Sequence, residues 1–355
     1  MASQASGLTR RTALGLGSGG LALALSPSGL FAQDMIFFRI ATGGTAGTYY
    51  PIGALIANLI SNPPGSRPCD KGGSCGVPGL VAAAQSSDGS VANVKAVSDG
   101  LVESGFCQSD VVFWAYNGEG IFDGAAPRRD LRVIGNLYPE VLQIVAHRNS
   151  GISTIADMRG KRVSLDVEGS GTLVDARIVL DAYGMKESDL DAVHVPHGTA
   201  VSMLRNGELD AFFLIAGYPT NSVFDLVKEG LATLVPMADG EAISLIANHP
   251  FFSLSVVPKG TYSDLPLITT LAIGAQWIVS ASDDEDLIFG ITRALWNENS
   301  RALLDSGHPA ARQIKLENAL SGVSIPLHPG ARRYYEEAGL DVSHVPLPDE
   351  ESDLA

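Results

Sequence analysis

Two rhythms of apolar and polar residues alternate along this 355-residue chain. Short, nearly unbroken apolar runs predict buried strands: "MIFFRIA" (35–41), "KRVSLDV" (161–167), "AVHVP" (192–196) and "LDAFFLIAG" (209–217). Between them, apolar residues recur at helical spacing. "TYYPIGALIANLIS" (48–61), "GSVANVKAVSDG" (89–100, stopping at Gly100), "TLVDARIVLDAYGM" (172–185) and "TAVSMLRNG" (199–207) read as helices. "GFCQSDVVFWAY" (105–116) reads as a strand followed by a helix. "LRVIGNLYPEVLQIVAHR" (131–148) reads as two short strands on either side of Tyr138 and Pro139. Alternation of this kind predicts an α/β protein with mostly parallel sheets flanked by helices.

The order of elements occurs twice. Strand, glycine loop and helix at 36–61 correspond to the same sequence of elements at 161–183. "VSDGLVESGF" (97–106) echoes "LRNGELDAFF" (204–213), each with a glycine, an acid and then a strand. Two lobes of like topology follow from this, with a ligand cleft between them. Lobe 1 is expected to comprise 34–140 plus about 255–345, and lobe 2 about 141–254. "FSLSVVP" (252–258) and "TLAIGAQWIVSA" (270–281) read as the return crossing. "DEDLIFGITRALWNENSRALLD" (284–305), with Ile288, Ile291 and Leu295 on one face, reads as helices completing the first lobe. The stretch 346–355 reads as an acidic tail.

Residues 1–33 read as an export signal. Arg10 and Arg11 precede an apolar stretch that closes on small residues near Ala32. The arginine pair suggests the twin-arginine route, with general secretion as the alternative. The stretch is too short and glycine-rich to span a bilayer, and no later segment has about 18 uninterrupted apolar residues. The formal charge of −15 argues against binding nucleic acid or anionic lipid. Cys69 and Cys75, in a Gly- and Pro-rich loop, favour a small disulfide-closed loop over zinc, since no further ligands stand nearby. Cys107, flanked by apolar residues, reads as a buried thiol.

Candidate chemistry lies in two glycine loops. "TGGTAGT" (42–48) and "EGSGT" (168–172) each lead from a strand into a helix. A helix start offers unpaired N–H groups and partial positive charge, and small residues let an anion approach them. Ligands of parallel sheets sit beyond the carboxyl ends of the strands. Two such loops facing each other would hold one small anionic molecule, with Tyr49 or Tyr50 as a wall. Neither loop matches a nucleotide fingerprint, and no GxSxG elbow is present. His194 and His197 read as ordinary surface or hinge histidines, and Glu140 as a charge at the lobe crossing. No cofactor or metal is expected.

Several long motifs, in order, carry a family resemblance: "GGTAGTYYPIG", "DGSVANV", "QSDVVFWAY", "LYPEVLQIVAHRNSGI", "DMRGKRVSLDVEGSGT" and "IPLHPGARRYYEEAGL". Together they resemble the TAXI family of extracytoplasmic solute-binding proteins, the ligand-capturing subunits of TRAP transporters. The resemblance implies a type II periplasmic-binding-protein fold and a periplasmic, non-enzymatic protein, expected to be a monomer. It implies capture of a small organic acid, glutamate- or 2-oxoglutarate-like, and delivery to a TRAP membrane permease. A ligand sensor acting on a membrane kinase is the alternative of the same fold, and an enzyme on this scaffold a third. The implied ligand set is Gly44, Thr45, Thr48, Tyr49, Tyr50, Gln108, Ser109, Asp110, Tyr138, Glu140, Ser170, Gly171, Thr172, Tyr218 and Pro219. It contains no arginine, so neutral donors must carry the carboxylate.

Overall fold

The structure is a computed structural model and describes residues 35–348. The export signal read at 1–33 and most of the acidic tail lie outside the described residues. Ten strands form one sheet. In chain order they are β1 (Ile36–Ala41), β2 (Leu80–Gln85), β3 (Ser104–Gln108), β4 (Leu131–His147), β5 (Arg162–Ser164), β6 (Asp191–Val193), β7 (Ala211–Ala216), β8 (Ala232–Val235), β9 (Ser253–Val257) and β10 (Ile268–Ser280). The helices are α1 (Tyr49–Ile60), α2 (Ser90–Ser98), α3 (Ser109–Asn117), α4 (Gly171–Ala182), α5 (His197–Arg205), α6 (Asn221–Lys228), α7 (Gly240–Asn248), α8 (Glu285–Leu295), α9 (Glu298–Gly307) and α10 (Pro329–Glu337).

The strand order is β2-β1-β3-β10-β4-β7-β5-β6. At one end β2, β1 and β3 run parallel, and at the other β7, β5 and β6 do so. The middle is antiparallel and belongs to β4 and β10, which pair from Leu131 to Val141 and from Ala272 to Ser280. β4 has 17 residues, roughly 55 Å at the usual rise per residue. It is therefore one continuous strand rather than the two short ones expected around Tyr138 and Pro139. Proline lacks the N–H that a ladder needs, which is why the sequence reads as a break. Here the ladder shifts register between Ala275 and Gln276, next to the Pro139–Gly274 pair. A bulge already interrupts regular pairing there, and such positions tolerate proline.

The apolar cores divide where these two strands cross. One core gathers residues from Phe38 to Tyr138 and from Ala275 to Val345, joined by Val174 of α4. Two others gather residues from Val141 to Ile273, covering the two faces of the second half of the sheet. Taking the lobes as the parts these cores define, the return falls between Ile273 and Ala275. That is later than the expected boundary near 255, because β9 and β10 form an antiparallel pair whose Val257, Ile268 and Leu271 pack with the second lobe. Outside the main sheet, Ser61–Asn62 pairs with Val77–Pro78, and a Cys69–Cys75 disulfide closes the intervening loop. Cys107 is a buried free thiol.

The first core is organised around Trp277, which is fully buried. Its ring meets Phe38 edge-on at 6.4 Å and Phe106 at 6.2 Å, and Phe106 in turn meets Tyr49 at 5.6 Å. This chain of rings runs from the crossing strand β10 to the first turn of α1. Trp277→Ala is expected to cost about 3–5 kcal/mol of stability through the cavity it leaves. Urea unfolding followed by circular dichroism measures it; a cost under about 1 kcal/mol would contradict this packing.

Candidate functional site

Among the described residues, four helices start at the wall of one cavity of about 100 Å³. These are α1 at Thr48 and Tyr49, α2 at Gly89 and Ser90, α4 at Ser170 and Gly171, and α5 at Pro196 and His197. Each follows a strand, so the cavity lies where parallel α/β units place ligands. Ser170 caps α4, accepting from the Leu173 N–H at 3.4 Å and donating to Asp166 at 2.8 Å. The starts of α1, α2 and α5 have no side-chain cap. Their first-turn N–H groups are the donors a helix cannot satisfy internally. With the dipole they favour negative charge by about 0.3–1 kcal/mol per helix at exposed ends, and more when partly buried.

The lobes are in contact around this cavity. Gln108 Nε2 donates to Asp175 Oδ2 at 3.0 Å, and the Gly217 N–H donates to Thr48 Oγ1 at 3.0 Å. Ser222 Oγ donates to the Ala46 carbonyl at 3.3 Å, and the Ala92 N–H to the Gly169 carbonyl at 3.0 Å. At residue 171 a Cβ would fall 1.5 Å from Gln108 Oε1, so a side chain there must displace the Gln108 amide.

The polar lining is acidic. Asp88, Glu140 and Asp166 reach the cavity wall, and among the described residues neither lysine nor arginine does. Glu140 is 2% exposed and accepts a 2.6 Å hydrogen bond from the Tyr49 hydroxyl. Burial outweighs that bond and, with Asp110 nearby, raises its carboxyl to about 8. Burial likewise raises Asp166, against the hydrogen bond from Ser170. Just beneath, Asp110 of lobe 1 and Asp175 of lobe 2 are both fully buried. Asp110 Oδ2 and Asp175 Oδ1 have no other partner. Desolvation raises both groups, and their mutual hydrogen bond lowers Asp110 while raising Asp175. One proton shared by the pair satisfies both oxygens.

Of the residues anticipated from sequence, Gly44, Thr48, Tyr49, Gln108, Glu140, Ser170, Gly171 and Thr172 line the cavity. The others do not. Thr45 is exposed and Tyr50 half-buried on the far side of the first helical turn, about 100° from Tyr49. Tyr138 is buried in the core, its hydroxyl 3.5 Å from Thr48 Oγ1, and supports the wall from behind. Ser109 lines a separate groove with Phe113 and Phe251, and Asp110 lies beneath the floor. Tyr218 is half-buried and takes a bond to its carbonyl from Gln313, and Pro219 follows it through a cis peptide. Both sit one turn beyond the end of β7, outside the lining.

Sequence reasoning missed Ser87, Asp88, Gly89, Ser90, Asp166 and His197, all on the wall. The signal for the first four was present: "SSDGS" (86–90) is a third glycine loop between a strand and a helix. His197 corrects the expectation of an ordinary surface or hinge histidine. It is 8% exposed, burial lowers it to about 4, and its Nε2 lies 2.8 Å from Ser222 Oγ. His194 is different, with Nε2 2.6 Å from Glu187 on the surface. Glu140, read as a charge at the crossing, has no cationic partner and is sealed against Tyr49. No group of three or more His, Cys, Asp or Glu among the described residues could hold a metal ion.

A two-lobed α/β fold whose crossing strands flank a cavity of helix starts is that of the periplasmic solute-binding proteins. The chain belongs to the NMT1-like family, a periplasmic binding protein family, which residues 40–339 match. Its fold is similar to MatC (Rpa3494) from Rhodopseudomonas palustris with bound malate, at 13% identity and TM-score 0.50, over 85% of this chain and 96% of that one. It is also similar to the alkanesulfonate-binding protein SsuA from Xanthomonas axonopodis pv. citri bound to MOPS, at 15% identity and TM-score 0.46, over 86% and 92%. A TctC solute-binding protein from Polaromonas matches at 14% identity and TM-score 0.43, over 78% and 89%.

Two outcomes follow. Gly171→Ala should displace Gln108, prevent the lobes from meeting, and lower solute affinity about tenfold or more, equivalent to about 1.4 kcal/mol. Its melting temperature should change little; titration calorimetry and thermal unfolding on the same sample separate the two, and unchanged affinity would contradict the close approach. The second concerns pH. Glu140 binds its proton more tightly when folded, so its contribution is fully present below its ordinary value of 4.5 and lost as pH rises through about 8. The melting temperature of the ligand-free protein should therefore fall from pH 5 to pH 8.5, and Glu140→Gln should flatten that fall. An equal slope in the variant would remove Glu140 as its source.

Proposed function

We propose that this protein is the extracytoplasmic solute-binding subunit of a TRAP-type transporter, of the TAXI group. It captures a small organic acid of the glutamate or 2-oxoglutarate type and delivers it to a membrane permease. The observation that carries the reading is the convergence of four helix starts, three without a side-chain cap, on one cavity between two lobes. Unpaired backbone donors in a water-poor cleft hold a carboxylate without an arginine clamp. A volume near 100 Å³ suits a compact metabolite rather than a chain of sugars or a peptide. MatC, on the same fold, holds malate, itself a small organic acid. The ordered motifs from "GGTAGTYYPIG" to "IPLHPGARRYYEEAGL" support the TAXI and TRAP assignment.

The protein acts in the periplasm as a monomer, exported through its first 33 residues by the twin-arginine route. No helix among the described residues is long and apolar enough to cross a membrane. Transport by this design needs no bond-making: the solute closes the lobes, and the closed form docks on the permease.

Thr48→Ala removes the hydroxyl that accepts from Gly217 across the cleft, and Ser170→Ala removes the α4 cap that also holds Asp166. Each should weaken binding of L-glutamate or 2-oxoglutarate, whichever the protein takes, about 5- to 10-fold, the worth of about one hydrogen bond. Calorimetric titration checks this. Unchanged affinity in both variants, with folding intact, would remove the cavity from the binding reaction.

A further inference from the structure

Asp110 and Asp175 meet beneath the cavity without lining it. Asp110 stands in the first turn of α3 on lobe 1, and Asp175 in the second turn of α4 on lobe 2. Both side chains are fully buried. Each has one oxygen satisfied: the Val111 N–H donates to Asp110 Oδ1 at 2.7 Å, and Gln108 Nε2 to Asp175 Oδ2 at 3.0 Å. The remaining oxygens, Asp110 Oδ2 and Asp175 Oδ1, receive no N–H or hydroxyl from the protein. The two carboxyls lie within hydrogen-bond reach of each other.

Two ionised carboxylates do not share such a site without a counter-charge. The titratable groups facing the pair are Cys107 at the end of β3 and Glu140 on β4. Tyr49 of α1 and Tyr138 of β4 stand behind Glu140. None of these is a cation. Arg177, on the same helix as Asp175, turns to Glu168 and Glu187 at the surface. Lys95 of α2 is exposed, and burial keeps His197 of α5 neutral. A proton between the two carboxyls supplies what the surroundings lack.

We propose that Asp110 and Asp175 form a proton latch between the lobes: together they hold one shared proton, apart both ionise, so closing takes up a proton and rising pH drives the lobes open. The proton comes from the buffer on closing and returns to it on opening, and no other bond changes. Desolvation and the neighbouring carboxyl hold the closed pair's proton above the ordinary aspartate value of 3.8. The latch is therefore at full strength below that value and weakens as pH rises, by about tenfold in the closing constant per pH unit for one proton. Its effect on affinity rests on the solute-binding reading; the contact between the lobes does not.

Small-angle X-ray scattering of the ligand-free mature protein follows the latch itself. The radius of gyration should rise between about pH 6 and about pH 9. Asp175→Asn should abolish the rise, because its amide accepts from Gln108 and donates to Asp110 Oδ2 at any pH. Asp110→Asn supplies the mirror-image amide if the first variant does not fold. Glu140→Gln removes another buried carboxyl and should leave the rise in place. Calorimetry with L-glutamate and 2-oxoglutarate, in buffers of different ionisation enthalpy, reads the coupling. The acid that binds should take up about one proton, and its affinity should fall about tenfold or more from about pH 6 to about pH 8. Both effects should vanish in Asp175→Asn. A radius of gyration indifferent to pH overturns the latch, as does a rise that persists in both asparagine variants, or binding without proton uptake. If neither acid binds, the solute reading fails while the scattering still decides the latch.

Discussion

The structure depends on a desolvated carboxyl at the lobe crossing that has a phenol for company and no cation. Glu140 sits in the middle of β4, the strand that both lobes share, and the Tyr49 hydroxyl bonds to it from the first turn of α1. Burial makes the ionised form costly, so the group exchanges its proton in the range where most carboxylates are already charged. The aromatic chain from Trp277 through Phe106 to Tyr49 fixes the phenol in place. Core packing in one lobe thereby positions a polar group at the site.

Closure brings further acids together rather than separating them. Asp110 and Asp175 come from different lobes and meet beneath the floor, where one proton serves two orphaned oxygens. Gln108 links this pair to the cavity wall, since its amide donates to Asp175 while its oxygen lies against Gly171. Buried polar networks of this kind favour one arrangement of the lobes over others.

Much of the fold was legible in the sequence because its strands and helices differ in period. Runs such as "AFFLIA" are too short for helices, and "YYPIGALIANLI" has a helical face. The long crossing strand was not legible, because Pro139 looks like a terminator unless the bulge beside it is seen. The lobe boundary moved for a related reason: pairing of β9 with β10 is a tertiary fact that no local pattern announces. At the site, the glycine loops pointed to two of the helix starts and missed the other two, after "SSDG" and at Pro196. The acidic lining was hidden because Asp88, Asp166 and Glu140 come from distant segments and look like surface charges in sequence. His197 was hidden because its burial and its contact with Ser222 come only with folding.

The most direct test of the account is a crystal structure of the protein with the solute it retains through purification. The account predicts density between the starts of α1 and α4, with carboxylate oxygens on backbone N–H groups. A solute found outside this cavity, or one whose carboxylate meets none of these N–H groups, would contradict it.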